Sequence, residues 1–278
     1  MIQVKVRSIV LLSIILPVSV GFGLRQLRSS SLFSIQSIEV VWLNKNSGVG
    51  IQSIESSEVK KRIQMTLGKA GLFDMDAKEV ERGLLSYSEW IRSVKVKRQF
   101  PNSLEVWVAL RTPEALIQIS KDTLRYLDQE GVIFGYPDLK AMKNLPVFTG
   151  FLGHPNEIRH AISLMDHWEI SGLARVSTVS SLYFDSERGF RVLASYPLKA
   201  GVRAGVRAGG KGHFGISGVL DNKFRTMIDL GQEIDGRIDQ KMAALSAVIK
   251  YLSDHSMPVR QIWAEVDKKV VVKTVDGS

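Results

Sequence analysis

Three groups of residues in this 278-residue sequence have types and spacings that could do chemistry. The run GVRAGVRAGGKG, residues 201–212, sets Gly205 ahead of Gly210–Lys211 at the spacing of a phosphate-cradling loop. That loop also needs a hydroxyl residue after the lysine and a helix behind it. Gly212 occupies the hydroxyl position and a strand is expected next, so the run reads as a flexible basic loop. Attraction to anionic polymer or lipid headgroups outside the cytoplasm is its functional alternative. Glu157 and His160 stand three apart on a helical stretch, with His167 one heptad further on. Glu-x-x-His ligates metal when a second such pair faces it, and the sequence has no second pair. Both histidines fall opposite the apolar stripe and read as solvated surface residues. Asp128 with Glu130, and Glu265 with Asp267, could each share a strand face. Paired carboxylates cleave glycosides when a cleft holds them apart correctly. Each pair abuts a turn, where solvated acids are common. No Gly-x-Ser-x-Gly and no zinc-protease helix occurs. The absence of cysteine removes a thiol nucleophile, a disulfide framework and a Cys-ligated zinc site.

Composition narrows the class further. Hydrophobic residues make up 45% of the chain, enough for one large or two small cores. The formal net charge of +9 invites a nucleic-acid reading. Its distribution argues against one. Lys5, Arg7, Arg25 and Arg28 lie in residues 1–31, and Lys199, Arg203, Arg207 and Lys211 in residues 196–213, with no acid in either stretch. Without those eight, 29 basic residues face 28 acidic ones. A duplex-binding domain carries its basic stripe on the folded body instead.

Between Arg7 and Arg25 lie 17 uncharged residues, SIVLLSIILPVSVGFGL. As a helix they would span roughly 26 Å, near the lower limit for crossing a bilayer. Ile9, Leu12, Ile15, Phe22 and Leu24 would lie in that transmembrane segment, and Pro17 is tolerated there better than in a soluble helix. Ser29 and Ser31 could end a cleaved signal peptide, but Arg25 and Arg28 intervene and the apolar run is long for that purpose. The expectation is an uncleaved anchor, with its short N-terminal tail inside and the body exported.

Residues 32–115 read as one small domain. SLFSIQSIEVVWL alternates as a strand. In SSEVKKRIQMTLG, Val59, Ile63 and Leu67 share a helical face that Gly68 ends. Asp76 and Glu79 resemble a capping box ahead of a second helix, whose stripe is Ala77, Val80 and Leu84. WIRSVKVKRQFPNSLEVWVAL then reads as a hairpin with one buried face. The order is strand, helix, helix, strand, strand, with two helices covering a three-stranded sheet.

That order, with Trp90, Val94, Val96, Arg98, Phe100, Pro101, Leu104, Val106, Val108, Pro113 and Ala115, resembles the POTRA domain of the FtsQ/DivIB family of bacterial division proteins. The sequence departs at Glu89, where the family often has proline. Residues 116–278 read as a mostly antiparallel β domain with two helices. Leu127, Asp128, Gly131 and Phe134 resemble a further family element, and NLPVFTG the step after it. NEIRHAISLMDHWE and DQKMAALSAVIKYLSDH carry helical stripes. VRQIWAEVD, a Lys-Lys turn and VVVKTV close the chain as a hairpin.

The expected fold class is therefore α+β: an anchor in residues 1–31, a βααββ POTRA-like domain in 32–115 and a β domain in 116–278. The resemblance implies a non-enzymatic scaffold at the division septum, single-pass in the inner (cytoplasmic) membrane with its C-terminal domains outside. It implies FtsB, FtsL and other septal membrane proteins as partners, with no cofactor, metal, nucleic acid or small-molecule substrate. It also points to the C-terminal strands as the partner site: Ala264, Val266, Lys268, Lys269, Val270, Val271, Val272, Lys273 and Thr274. There the preceding strand departs from the family's V-D-L-R-Y, carrying Ile262, Trp263, Ala264, Glu265 and Val266. Backbone pairing would survive that departure, since it does not depend on side-chain identity. A POTRA-bearing assembly or secretion factor would need a barrel-forming C-terminus, for which the helices after residue 115 leave no room. An exported cell-wall glycan hydrolase is the enzymatic alternative.

Overall fold

Val59 and Ile63 lie one helical turn apart, and Val80 and Leu84 repeat the pattern, so each segment buries a single stripe. The computed structural model describes residues 33–44, 54–68, 70–137, 145–198, 219–220, 223–232, 238–264 and 270–274. Helix α1 (Ser56–Leu67) ends where Gly68, at positive φ, turns its N–H onto the Gln64 carbonyl at 3.0 Å. Helix α2 (Ala77–Leu85) starts at Asp76, whose carboxylate accepts the Lys78 N–H at 2.9 Å. The capping box expected with Glu79 is thus replaced by a cap one residue earlier, while the Glu79 N–H reaches the Asp76 carbonyl. Gly83 lets the helices approach closely, since a Cβ there would lie 3.3 Å from the Thr66 hydroxyl.

The two helices pack with a sheet of β1 (Ser37–Trp42), β2 (Ile91–Gln99) and β3 (Ser103–Leu110), ordered β1-β3-β2. Strand β1 runs parallel to β3, and β2 runs antiparallel to it. Ile38, Leu104, Val106 and Val108 alternate inward to form one core with the helical stripes. This unit ends at Arg111. The boundary expected at 115 lies later, because Pro113 and Ala115 belong to β4 (Pro113–Ser120), whose hydrogen bonds go to the second unit's sheet.

In the second unit, β5 (Thr123–Asp128), β6 (Ile133–Phe134), β7 (Val147–Thr149), β8 (Thr178–Asp185) and β9 (Gly189–Pro197) join β4. Strands β10 (Val219–Leu220), β11 (Lys223–Gly231), β12 (Val259–Trp263) and β13 (Val271–Thr274) complete one sheet, ordered β13-β12-β11-β9-β8-β7-β4-β5-β6, with β10 beside β11. Most neighbours are antiparallel, but β4–β7, β7–β8 and β11–β12 are parallel. Helices α3 (Pro155–Ile170) and α5 (Ile238–Asp254) are the crossovers that parallel neighbours require. A short third helix, α4 (Leu173–Val176), follows α3 and adds to the two expected. All three helices share one core with Phe148, Val192, Ala194 and Ile228 of the sheet.

Among the described residues, no helix is long and apolar enough to cross a membrane. The expected anchor residues Ile9, Leu12, Ile15, Pro17, Phe22 and Leu24 lie outside those described, as does the basic run 201–212.

Candidate partner-binding edge

Strand β12 is held in place by three side chains that sequence reasoning did not single out. Tyr196, on β9, donates its hydroxyl proton to the Met257 carbonyl at 2.7 Å and accepts the Val259 N–H at 3.0 Å. Burial pushes this phenol up to about 12, against which the Val259 N–H acts as a smaller opposing influence. Asp229, buried on β11, accepts the Gln261 amide at 2.6 Å, and its main-chain carbonyl accepts the Ala264 N–H at 2.8 Å. Asp229 was detectable in sequence only as a lone acid in the apolar run KFRTMIDLG.

Strand β13 pairs with β12 in the order Trp263↔Val271, Ile262↔Val272, Gln261↔Lys273 and Val259↔Thr274, with a bulge between Val259 and Gln261. It is the terminal strand of the sheet. Half of an edge strand's backbone groups point away from its single neighbour, ready to pair with an added chain. Val271 is 53% exposed and Val272 39% exposed, while Val270 packs against the core. Lys273 is exposed and Thr274 half-buried. Ala264, expected to meet a partner, is instead buried with its N–H already used, so it fixes β12 rather than offering a contact. Val266, Lys268 and Lys269 lie outside the described residues.

Two other sheet edges differ. Strand β6, at the far end, has two residues. In the first unit, the Glu81 carboxylate accepts the Val96 N–H of edge strand β2 at 2.9 Å, and Arg98 donates to the Met75 carbonyl at 2.7 Å. A carboxylate therefore takes up a backbone donor of β2.

The groups considered for chemistry fall elsewhere. Asp128 is buried rather than solvated, and one oxygen accepts the N–H groups of Glu130 and Val132, each at 2.9 Å. It closes the β5–β6 turn, which explains an acid there without catalysis. Glu265 and Asp267 lie outside the described residues. His167 is not simply a solvated residue. Its Nδ1 meets the Ser163 carbonyl at 2.7 Å, and its Nε2 lies 3.5 Å from Asp239 in the first turn of α5. His160 is half-buried. Among the described residues, no three acidic or imidazole groups converge as a metal site requires.

Comparison with known proteins bears on the same two units. A family model described as POTRA domain, FtsQ-type, matches residues 49–109, the stretch that contains α1, α2, β2 and nearly all of β3. The chain is 27% identical over 137 residues to the cell division protein FtsQ of Geobacter sp. (strain M21), covering 46% of this chain and 48% of that one. The chain is thus similar to FtsQ-family proteins. Its first unit is an FtsQ-type POTRA domain within a mixed α+β fold. The FtsQ of Geotalea daltonii is 24% identical over 194 residues, 65% of this chain and 66% of its own. That of Anaeromyxobacter sp. (strain K) is 33% identical over 109 residues, 36% of each. The matched stretch thus spans about half the length of the Geobacter FtsQ and just under two thirds of the Geotalea one.

Proposed function

We propose that this protein is a non-enzymatic, membrane-anchored scaffold of the bacterial division machinery, linking early and late division proteins by strand addition at β13. The family relationship supports the division role, since the relatives are named cell division proteins. The observation that carries the binding mode is the edge strand itself: β13 ends its sheet with Val271 and Val272 exposed, whereas on edge strand β2 Glu81 already takes the Val96 N–H. Backbone groups supply affinity in such a mode, and alternate side-chain positions supply selectivity. FtsB- and FtsL-like septal proteins are the partners this reading assigns. In this reading the apolar run at residues 8–24 is the anchor, with the POTRA and β domains outside the inner membrane at the septum.

Depletion of the protein from its host tests the reading directly. Filamentous cells with unconstricted division sites are expected. Cells that divide normally would overturn it.

A further inference from the structure

The first unit carries a cluster of three phenylalanines at one end. The Phe73 ring meets Phe33 edge-to-face with centroids 4.9 Å apart, and Phe100 at 5.5 Å. Phe100 is 65% exposed and Phe73 37% exposed, so the rings gather without being covered. Backbone bonds fix them to one place. The Leu72 N–H donates to the Phe33 carbonyl at 2.8 Å, and the Gln36 N–H to the Asn102 carbonyl at 2.9 Å, which ties the start of β1 to the β2–β3 turn. Arg98 ties the same turn region to Met75. Leu43, exposed just after β1, marks the opposite end.

Phe33 also follows the end of the apolar run, Leu24, by nine residues. Nine residues extended cover at most about 30 Å, so this end stays within that reach of the point where the run leaves the bilayer. Asn102 and Gln36, whose side-chain amides bond at 3.0 Å, supply a polar rim. Asp74 and Arg98 flank the rings in sequence with one charge of each sign, and the attraction is assigned to the apolar rings rather than to charge. Exposed aromatic rings rimmed by polar groups suit the boundary between headgroups and acyl chains.

We infer that Phe33, Phe73 and Phe100 form a foot by which the POTRA domain rests on the bilayer surface beside its own anchor. This rests on the anchored reading proposed above. The foot fixes the domain's tilt on the membrane and turns the end marked by Leu43 away from it.

The chain has no cysteine of its own, so a single introduced one can be labelled without background. The full chain carrying Gln99→Cys, which leaves the rings intact, is labelled with an environment-sensitive dye. It is then reconstituted into phosphatidylethanolamine–phosphatidylglycerol vesicles containing a shallow nitroxide lipid. The dye at 99 should be quenched and blue-shifted, while one at Leu43→Cys should report water. Adding Phe73→Ser and Phe100→Ser should reduce quenching at 99 to the level seen at 43, with flotation on the vesicles unchanged and no dependence on salt. Phe100→Ser alone, at the most exposed ring, should give a partial loss if the double variant folds poorly. Floating protein whose quenching at 99 is the same with and without the rings overturns the foot alone. Protein that does not float overturns the anchored reading, and the foot with it. Oxidative cross-linking of the Gln99→Cys chain to itself would assign the rings to a second copy and also overturn the foot.

Discussion

Tyr196 combines two roles in one side chain, as buried aromatic packing and as a polar tether between β9 and the start of β12. Tyr196→Phe keeps the packing but strands the buried Val259 N–H and removes the proton donated to Met257. A buried donor left without its acceptor costs about 1–3 kcal/mol. Denaturant unfolding should register that loss. Since the tether fixes β12, partner binding at β13 should weaken in parallel. Glu114 gives a pH-dependent counterpart. Partial burial raises its carboxyl above the ordinary value, and the nearby charges of Asp166, Glu169 and Asp128 push it the same way. The folded chain then holds this proton more tightly than the unfolded chain. The carboxylate therefore lowers stability once pH exceeds the ordinary carboxylate range and has no effect below it. Glu114→Gln should raise stability at neutral pH by up to about 1 kcal/mol, a modest gain because the side chain stays partly in solvent. Thermal melts should show the gain disappearing near about pH 3, where both residues are neutral.

At the scale of elements, β13 is where proline gives a decisive test. Proline removes one ladder donor and is tolerated mainly at sheet edges. Val272→Pro should fold with a loss of about 1 kcal/mol. It should bind a soluble FtsB-like partner roughly tenfold more weakly in a pull-down or titration. A variant that folds and binds normally would remove β13 as the site. The local patterns of the first unit were readable in advance because its contacts follow from short-range periodicity: the stripes of α1 and α2 and the alternation of β2 and β3 mark their own buried faces. The second unit was readable only in part. Which strand lies beside β7, and that α3 and α5 serve as crossovers, depend on pairings far apart in sequence that no local period encodes. Asp128 shows the same limit at a single position. An acid beside a glycine turn looks solvated, yet two backbone N–H groups converge on it and make burial acceptable.

For the whole molecule, the first expectation concerns what leads into the POTRA domain. Arg25 and Arg28 directly follow the apolar run, so the mature protein should keep its N-terminus. Intact-mass measurement on membranes from the host checks this, and a new N-terminus near Leu32 would contradict it. Within the second unit, the long sheet has a narrow waist. Strand β7 contributes Val147–Thr149, with two paired positions toward β4 and three toward β8, whereas β9 and β11 pair along most of their length. Phe148, Phe151, Phe184 and Phe190 gather beside that waist with ring centroids between 5.1 and 6.0 Å apart. If a partner tugs on β13 while the domain is restrained near β4, the load passes sideways through the sheet and crosses β7 on the fewest rungs of the ladder. Interlocked rings reinforce the β7–β8 side of that crossing, so the sheet gives first between β7 and β4, far from the edge being pulled.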